Sequence, residues 1–187
     1  YDNFSVTGLL GVNRRRNNIT SLTGTTVGGL LIPEFYDIMN SASPVSTAET
    51  EDIYGVNSVF GQVSFGYKNM LYLDLTGRND KSSTLPEGNN SYFYPSVSTS
   101  FILSELPGLK GSNVFSFMKL RLNYAEVGND APVYSLLQTY TQMANNGTQG
   151  IFRVSDVLQN PNLKPERTKS WEAGLESKFL NNRFGLD

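Results

Sequence analysis

The feature that most constrains this chain is a period of two that persists over unusually long stretches. In "FSVTGLLGV", Phe4, Val6, Gly8, Leu10 and Val12 fall on one side, with Ser5, Thr7, Leu9 and Gly11 on the other. "VFGQVSFGY" sets Val59, Gly61, Val63, Phe65 and Tyr67 against Gln62, Ser64 and Gly66. "NMLYLDLTGR" sets Leu71, Leu73 and Leu75 against Tyr72, Asp74, Thr76 and Arg78. "YPSVSTSFIL" groups Val97, Thr99, Phe101 and Leu103, and "FMKLRLNY" groups Met118, Leu120, Leu122 and Tyr124 against Lys119, Arg121 and Asn123. In "SWEAGLESKF", Trp171, Ala173, Leu175 and Phe179 oppose Glu172, Gly174, Glu176 and Lys178. Side chains that alternate in character at this period belong to β-strands with unlike faces. No amphipathic helix of comparable length can be drawn anywhere.

The connections between these strands alternate too. Long ones run from about Arg14 to Glu51, Lys81 to Tyr92 and Asn129 to Glu166. Between them fall a tight turn at Lys68 and Asn69, a medium one from Leu106 to Ser116, and a second tight turn at Asn181 and Asn182. Asn is suited to the positive φ values of two-residue hairpin turns. In a strand meander, alternate connections lie at opposite ends of the sheet, so one end is closed tightly and the other carries large loops. Outer-membrane barrels are built this way. The strands reach the ~9–11 residues that a tilted membrane crossing needs, against the ~5–6 common in soluble proteins. Their apolar sides carry no charge, while Asp74, Arg78, Lys119, Arg121, Glu172, Glu176 and Lys178 occupy the other. Aromatic residues gather near strand ends, Tyr67, Tyr92, Phe93, Tyr94, Trp171 and Phe179 among them, where interfacial girdles form.

Period alone does not say which face is outward. A soluble or surface-exposed β-sandwich that binds carbohydrate or protein shows the same alternation. The two differ in where Leu71, Leu73, Leu75 and Leu120 point: away from the sheet's concave side in a barrel, or into a second sheet in a sandwich.

Composition removes several function classes. The chain has no histidine and no cysteine, so disulfides, thiolate chemistry, a Ser-His-Asp triad and the common zinc and haem ligand sets have no residues to use. A net charge of −2 gives no basic surface for nucleic acid. No apolar run is long enough for a transmembrane helix, and no basic-then-apolar signal-peptide pattern appears within these residues, which begin at Tyr1. Both ends read as cut.

The stretch "NPNLKPERTKSWEAGLESKFLNNRFGLD" resembles the late-barrel segment of TonB-dependent outer-membrane receptors. There, N-P-x-L-K-P-E leads into a strand with a Glu-x-Gly element, matched here by Asn160, Pro161, Leu163, Lys164, Pro165, Glu166, Glu172 and Gly174. "LTGRNDKSSTLPEGNNSYFYPSVSTSF" and "FMKLRLNYAEVGND" are similar to two further segments of the SusC/RagA branch of Bacteroidetes nutrient importers, in the same order. Lys81, Leu85, Ala125 and Val127 depart from that branch's usual residues. The matches cover roughly residues 52 to 187, and the first fifty residues carry no comparable motif.

The resemblance implies an all-β fold: antiparallel strands forming part of a large transmembrane β-barrel, with short periplasmic turns and long extracellular loops. It implies a bacterial outer-membrane location and import of oligosaccharides or oligopeptides with a SusD-like surface lipoprotein. Energy would come from the TonB complex acting through a plug domain and TonB box that these residues do not include. Six strands and the start of a seventh cannot close a barrel, so residues 1–187 are expected to be an incomplete barrel domain throughout.

Candidate sites are few. No catalytic residue, metal ligand or cofactor is expected. Glu172 and Glu176 stand four apart on one strand face, about 13 Å at ~3.3 Å per residue, too far for a glycosidase pair; an all-β hydrolase is therefore disfavoured. "RNDKSS" at Arg78–Ser83 has too few oxygen donors for a Ca²⁺ loop and is expected to be a structural loop base. "ETED" at Glu49–Asp52 reads as a solvated loop edge. "RRR" at Arg14–Arg16 reads as a charged rim, or a clamp for anionic lipopolysaccharide or cargo. Loops presented by a rigid scaffold concentrate binding residues. Tyr36, Tyr134 and Tyr140 are the candidate cargo contacts, because amphipathic rings stack on sugars and peptide side chains. The same rings can also pack within a folded loop.

Overall fold

The computed structural model describes residues 3–112, 114–143 and 147–187. Parts of two expected connections, residue 113 in the medium one and 144–146 in the last long one, lie outside the described residues. Seven strands form one antiparallel sheet: β1 (Phe4–Leu30), β2 (Ser41–Tyr67), β3 (Leu71–Ser82), β4 (Ser91–Ile102), β5 (Phe115–Asn129), β8 (Glu166–Phe179) and β9 (Phe184–Leu186). Two short strands, β6 (Tyr140–Gln142) and β7 (Phe152–Val154), pair with each other inside the connection from β5 to β8. Strand order in the large sheet follows the sequence, as a meander requires. Six full strands and a three-residue start of a seventh match the number expected.

Both tight turns form where the sequence places them. Lys68 and Asn69 have φ of 51° and 53°, and Asn181 and Asn182 have φ of 58° and 63°. Mirror-image turns of this kind match the twist of the strands they join. Leu180 also adopts φ of 50°, a conformation that no local preference of leucine predicts.

Register turns the period of two into two faces. Across β2, β3 and β4, Phe65 lies opposite Leu73 and Leu73 opposite Thr99, while Val63, Leu75 and Val97 form the next rung. The pattern continues through Thr99, Leu122 and Ala173, then through Val97, Tyr124 and Trp171, on β4, β5 and β8. On the opposite face, Asp74 meets Ser64 and Ser98, Arg121 meets Ser100, and Lys119 meets Glu176. The leucine face is open: Leu75, Leu122 and Leu175 are 39%, 46% and 45% exposed. The other sheet has three residues per strand and cannot cover it. Among the described residues the buried apolar side chains are Val56, Leu85 and Tyr92, and none belongs to the leucine face. A sandwich needs two inner faces interdigitated in a dry core; this sheet has none, and that expectation falls.

Contacts divide the chain into two compact units, Arg15–Gly55 and the remainder. The first corrects the sequence reading. Arg14 to Glu51 is not a loop: β1 continues to Leu30 and β2 begins at Ser41, so the turn itself is Leu31–Asn40. Arg14–Arg16 and Glu49–Asp52 accordingly lie within strands and not on a rim or loop edge. Arg15 places its guanidinium 5.8 Å from the Tyr54 ring centre, and Asn17 donates to the Tyr54 hydroxyl. Thr is the commonest residue of these strand segments (Thr20, Thr23, Thr25, Thr26, Thr47 and Thr50) and suits a pleated surface. They carry no regular apolar alternation because neither face is required to be apolar. Strands β4 and β8 also start earlier than expected, at Ser91 and Glu166.

A second correction concerns charge. Beyond Tyr124 and Trp171, whose ring centres are 4.4 Å apart, the leucine face turns polar. Glu126 lies opposite Lys169 and is followed on that face by Arg167. The uncharged band therefore has a visible upper edge.

Candidate functional site

The charged face of the large sheet is organised around Arg78 and Asp80 at the outgoing end of β3. Their positions two residues apart put both side chains on one face, beside Ser58 of β2 and Tyr94 of β4. Arg78 Nε donates to Asp80 Oδ1 at 2.8 Å, and a second guanidinium nitrogen donates to Ser58 Oγ at 2.9 Å. Tyr94 donates its hydroxyl to Asp80 Oδ2 at 2.7 Å. The guanidinium also sits 5.7 Å from the centre of the Phe60 ring, within range of a cation–π contact. Asp80 is 6% exposed, so its carboxylate is held by donors and not by water.

The same strand end carries the loop base. Ser82, 1% exposed, donates to Asp130 Oδ2 at 2.6 Å, and the Thr84 backbone N–H donates to Ser82 Oγ at 3.3 Å. Thr84, Leu85, Tyr92 and Val56 are buried here. Gly128 lies against Tyr92: a Cβ on it would stand 2.5 Å from the ring. Asn89 donates to the Asn162 carbonyl at 3.3 Å. Two long connections, 83–90 and 130–165, are thus tied to each other and to the sheet. "RNDKSS" is a structural loop base, and every donor and acceptor just named is engaged in holding it. Sequence reasoning missed Asp130, Tyr92 and Leu85, which complete it; the alternation of "SFGY" or "LDLT" carries no trace of contacts made across loops.

The three tyrosines occupy turns and strand starts in the two units. Tyr134, with φ of 62°, follows Pro132 in a turn closed by Leu137 N–H donating to the Tyr134 carbonyl at 2.9 Å. Tyr140 opens β6 opposite Val154. They are 46% and 67% exposed, on one connection, along with exposed Leu137 and Phe152. Tyr36 belongs to the Arg15–Gly55 unit and is 87% exposed. It stands in a turn held from within. Asn40, buried, accepts from Ile32 N–H at 3.0 Å and donates to the Ile32 and Phe35 carbonyls at 2.8 and 2.7 Å. Glu172 and Glu176 line the charged face opposite Asn123 and Lys119, and Glu176 also lies 3.7 Å from Lys178.

Comparison with known proteins assigns this arrangement. Residues 2–187 match the family model described as TonB dependent receptor-like, beta-barrel. The chain is 28% identical over 187 residues to TonB-dependent receptor P26 of Formosa agariphila, covering 97% of this chain and 19% of that protein. It is 32% identical over 140 residues to TonB-dependent receptor SusC of Bacteroides thetaiotaomicron, covering 70% of this chain and 14% of that protein. Among solved structures, the RagAB peptide transporter matches with a TM-score of 0.77 at 20% identity, over 99% of this chain and 21% of that one. The chain thus spans about a fifth of the length of such relatives, and the structural match establishes a shared fold.

Proposed function

Since this chain belongs to the TonB-dependent receptor β-barrel family, we propose that it supplies barrel wall and surface loops to an outer-membrane importer. The observation that supports this most is the open leucine face, apolar from Leu71 to Trp171 and unpaired with any second sheet, set against a charged opposite face. In a bilayer the first faces lipid and the second lines the lumen. The tight turns at Lys68–Asn69 and Leu180–Arg183 then lie at the periplasmic end, and the Asp80–Asp130 loop base at the cell surface. Residues 1–187 are barrel domain throughout, and the plug through which the TonB complex acts belongs to another part of the protein. The role is transport, with no catalytic step.

Similarity to SusC and to the fold of a peptide transporter favours an oligosaccharide or oligopeptide cargo and a SusD-like lipoprotein partner at the surface. Tyr134 and Tyr140 offer exposed rings on a loop whose base is fixed, and Tyr36 offers a third on the Arg15–Gly55 unit. Each ring stacked on cargo is worth about 0.5–1.5 kcal/mol. Replacing both Tyr134 and Tyr140 by Ala in the full-length receptor is expected to weaken cargo binding roughly tenfold. Calorimetry against a panel of oligosaccharides and oligopeptides checks this. Unchanged affinity for the cargo the parent protein binds would remove these residues from the contact surface.

A further inference from the structure

We infer that the end of the sheet bearing the two long connections 83–90 and 130–165 contains a seam between β4 and β5 that parts reversibly. The β5–β8 pair then tilts away from the β3–β4 pair. The purpose of this motion, widening the mouth of the conduit, rests on the importer reading; its geometry does not.

Register pairs between β4 and β5 stop at Ser96–Ala125, although β4 begins at Ser91 and β5 runs to Asn129. The flanking ladders continue over the same stretch, β3 with β4 as far as Lys81–Ser91 and β5 with β8 as far as Asn129–Glu166. The break therefore lies inside the sheet, between two strands that each keep their other neighbour. Pro95 accounts for it. Arg167, opposite Gly128 on β8, reaches past β5 and donates to the Phe93 carbonyl at 3.1 Å, so that carbonyl faces β5. Backbone groups two residues apart on a strand face the same neighbour, which aims the Pro95 nitrogen at β5 as well. It has no N–H to give, and a proline in a central strand removes a ladder bond. On β5, Gly128 makes room for what takes the ladder's place. The Tyr92 and Tyr94 rings, stacked 6.0 Å apart, lie against it, and a Cβ there would stand 2.5 Å from the Tyr92 ring. A cleft of about 330 Å³ opens where the ladder stops, with Tyr94, Pro95, Ser96, Ala125, Glu126 and Val127 among its lining.

Side chains hold the seam where backbone pairing has ended. Ser82 donates to Asp130, Asn89 to the Asn162 carbonyl and Arg167 to the Phe93 carbonyl. Each of these bonds joins the β3–β4 side to the β5–β8 side. Water can replace such a bond at a small net cost, and local opening in proteins begins where backbone bonds are few. From Ser96–Ala125 to Ile102–Lys119 the ladder is continuous, and that stretch is the hinge. The turn at Tyr134 follows β5 closely and moves with it.

The test places spin labels on cysteines at Glu87 and Lys164 in the full-length receptor, reconstituted in bilayers and free of other cysteines. Both residues are exposed, stand on opposite sides of the seam and make none of its bonds. Double electron–electron resonance reads the distance between the labels. The expected result is a major short distance and a minor longer one. Gly128→Ala, which drives a methyl group into the Tyr92 ring, is expected to raise the longer fraction roughly tenfold. Pro95→Ala, which supplies an N–H aimed at β5, is expected to lower it roughly fivefold. General damage to the fold does not produce shifts of opposite sign. A single distance in all three receptors, or shifts of the same sign, would overturn the seam. If Gly128→Ala does not fold, the parent and Pro95→Ala decide alone, and an equal longer fraction in the two overturns it. Absence of the receptor from the outer-membrane fraction would overturn the importer reading, whereas a single distance in a correctly located receptor overturns this inference alone.

Discussion

Placing Arg at both Leu75 and Leu122 in the full-length receptor is expected to abolish the folded barrel. Both side chains lie on the open leucine face, 39% and 46% exposed, with Val97 opposite Leu75 and Thr99 opposite Leu122. In water such positions would accept a charge at little cost, since exposed substitutions usually change stability by less than about 0.5 kcal/mol. In hydrocarbon each Arg costs about 2–4 kcal/mol near the bilayer midplane. Two together reach about 4–8 kcal/mol, comparable to the ~5–15 kcal/mol that separates folded from unfolded protein. Gln62→Arg is the control. Gln62 sits opposite Thr76 on the charged face, where it is expected to change stability by less than about 1 kcal/mol. Urea unfolding in bilayers, followed by the heat-dependent mobility of the folded barrel, separates the two outcomes. The sign of the effect depends only on which face meets lipid.

Asp80→Ala is expected to have the second-largest effect, by a different route. The carboxylate accepts from Arg78 Nε and from the Tyr94 hydroxyl, and a truncated side chain leaves both donors without it. An unsatisfied buried group costs about 1–3 kcal/mol. Arg78 keeps 38% of its side chain exposed and regains water, which discounts its share. A loss of about 2–3 kcal/mol is therefore expected. Asp80→Asn retains an acceptor for Tyr94 and is expected to lose roughly half as much. Because the network adjoins Ser82 and Asp130, the damage should extend to the loops. Protease cleavage within 83–90 and 130–165 should accelerate in Asp80→Ala while the strands stay protected. Uniform loss of protection across the sheet would show instead that the cluster holds the wall and not its loops.

Much of the wall was legible because lipid imposes a rule that sequence can display. Leu71, Leu73 and Leu75 must share a face, and Asp74 and Arg78 must avoid it, so period and charge locate β3 without any tertiary knowledge. Lys68–Asn69 and Asn181–Asn182 were legible as turns from length and residue type, although Leu180 was not. What escaped is what that rule does not govern. Residues 17–30 pair as strand with no apolar alternation to reveal it, because a sheet whose faces both tolerate polar groups needs only β-forming residues. Strands β6 and β7 are too short to show any period. Ser82 and Asp130 are 48 residues apart in sequence, and nothing local to either announces the other. The edge of the apolar band was also hidden: Glu126 and Lys169 continue the parity of Tyr124 and Trp171, and parity does not say at what depth lipid ends. For the tyrosines, the sequence shows ring chemistry and loop position, and the exposure of each ring appears only in the structure.

The central claim is that the leucine face meets lipid and the charged face meets water. The chain has no cysteine, so single cysteines can be introduced for spin labels at 73, 74, 75 and 76 in the full-length receptor reconstituted in bilayers. Collision rates with oxygen, which partitions into lipid, and with a water-soluble nickel chelate are then compared residue by residue. Labels replacing Leu73 and Leu75 should favour oxygen and those replacing Asp74 and Thr76 the chelate, in strict alternation. The opposite phase, or equal access of the chelate at all four positions, would contradict the account.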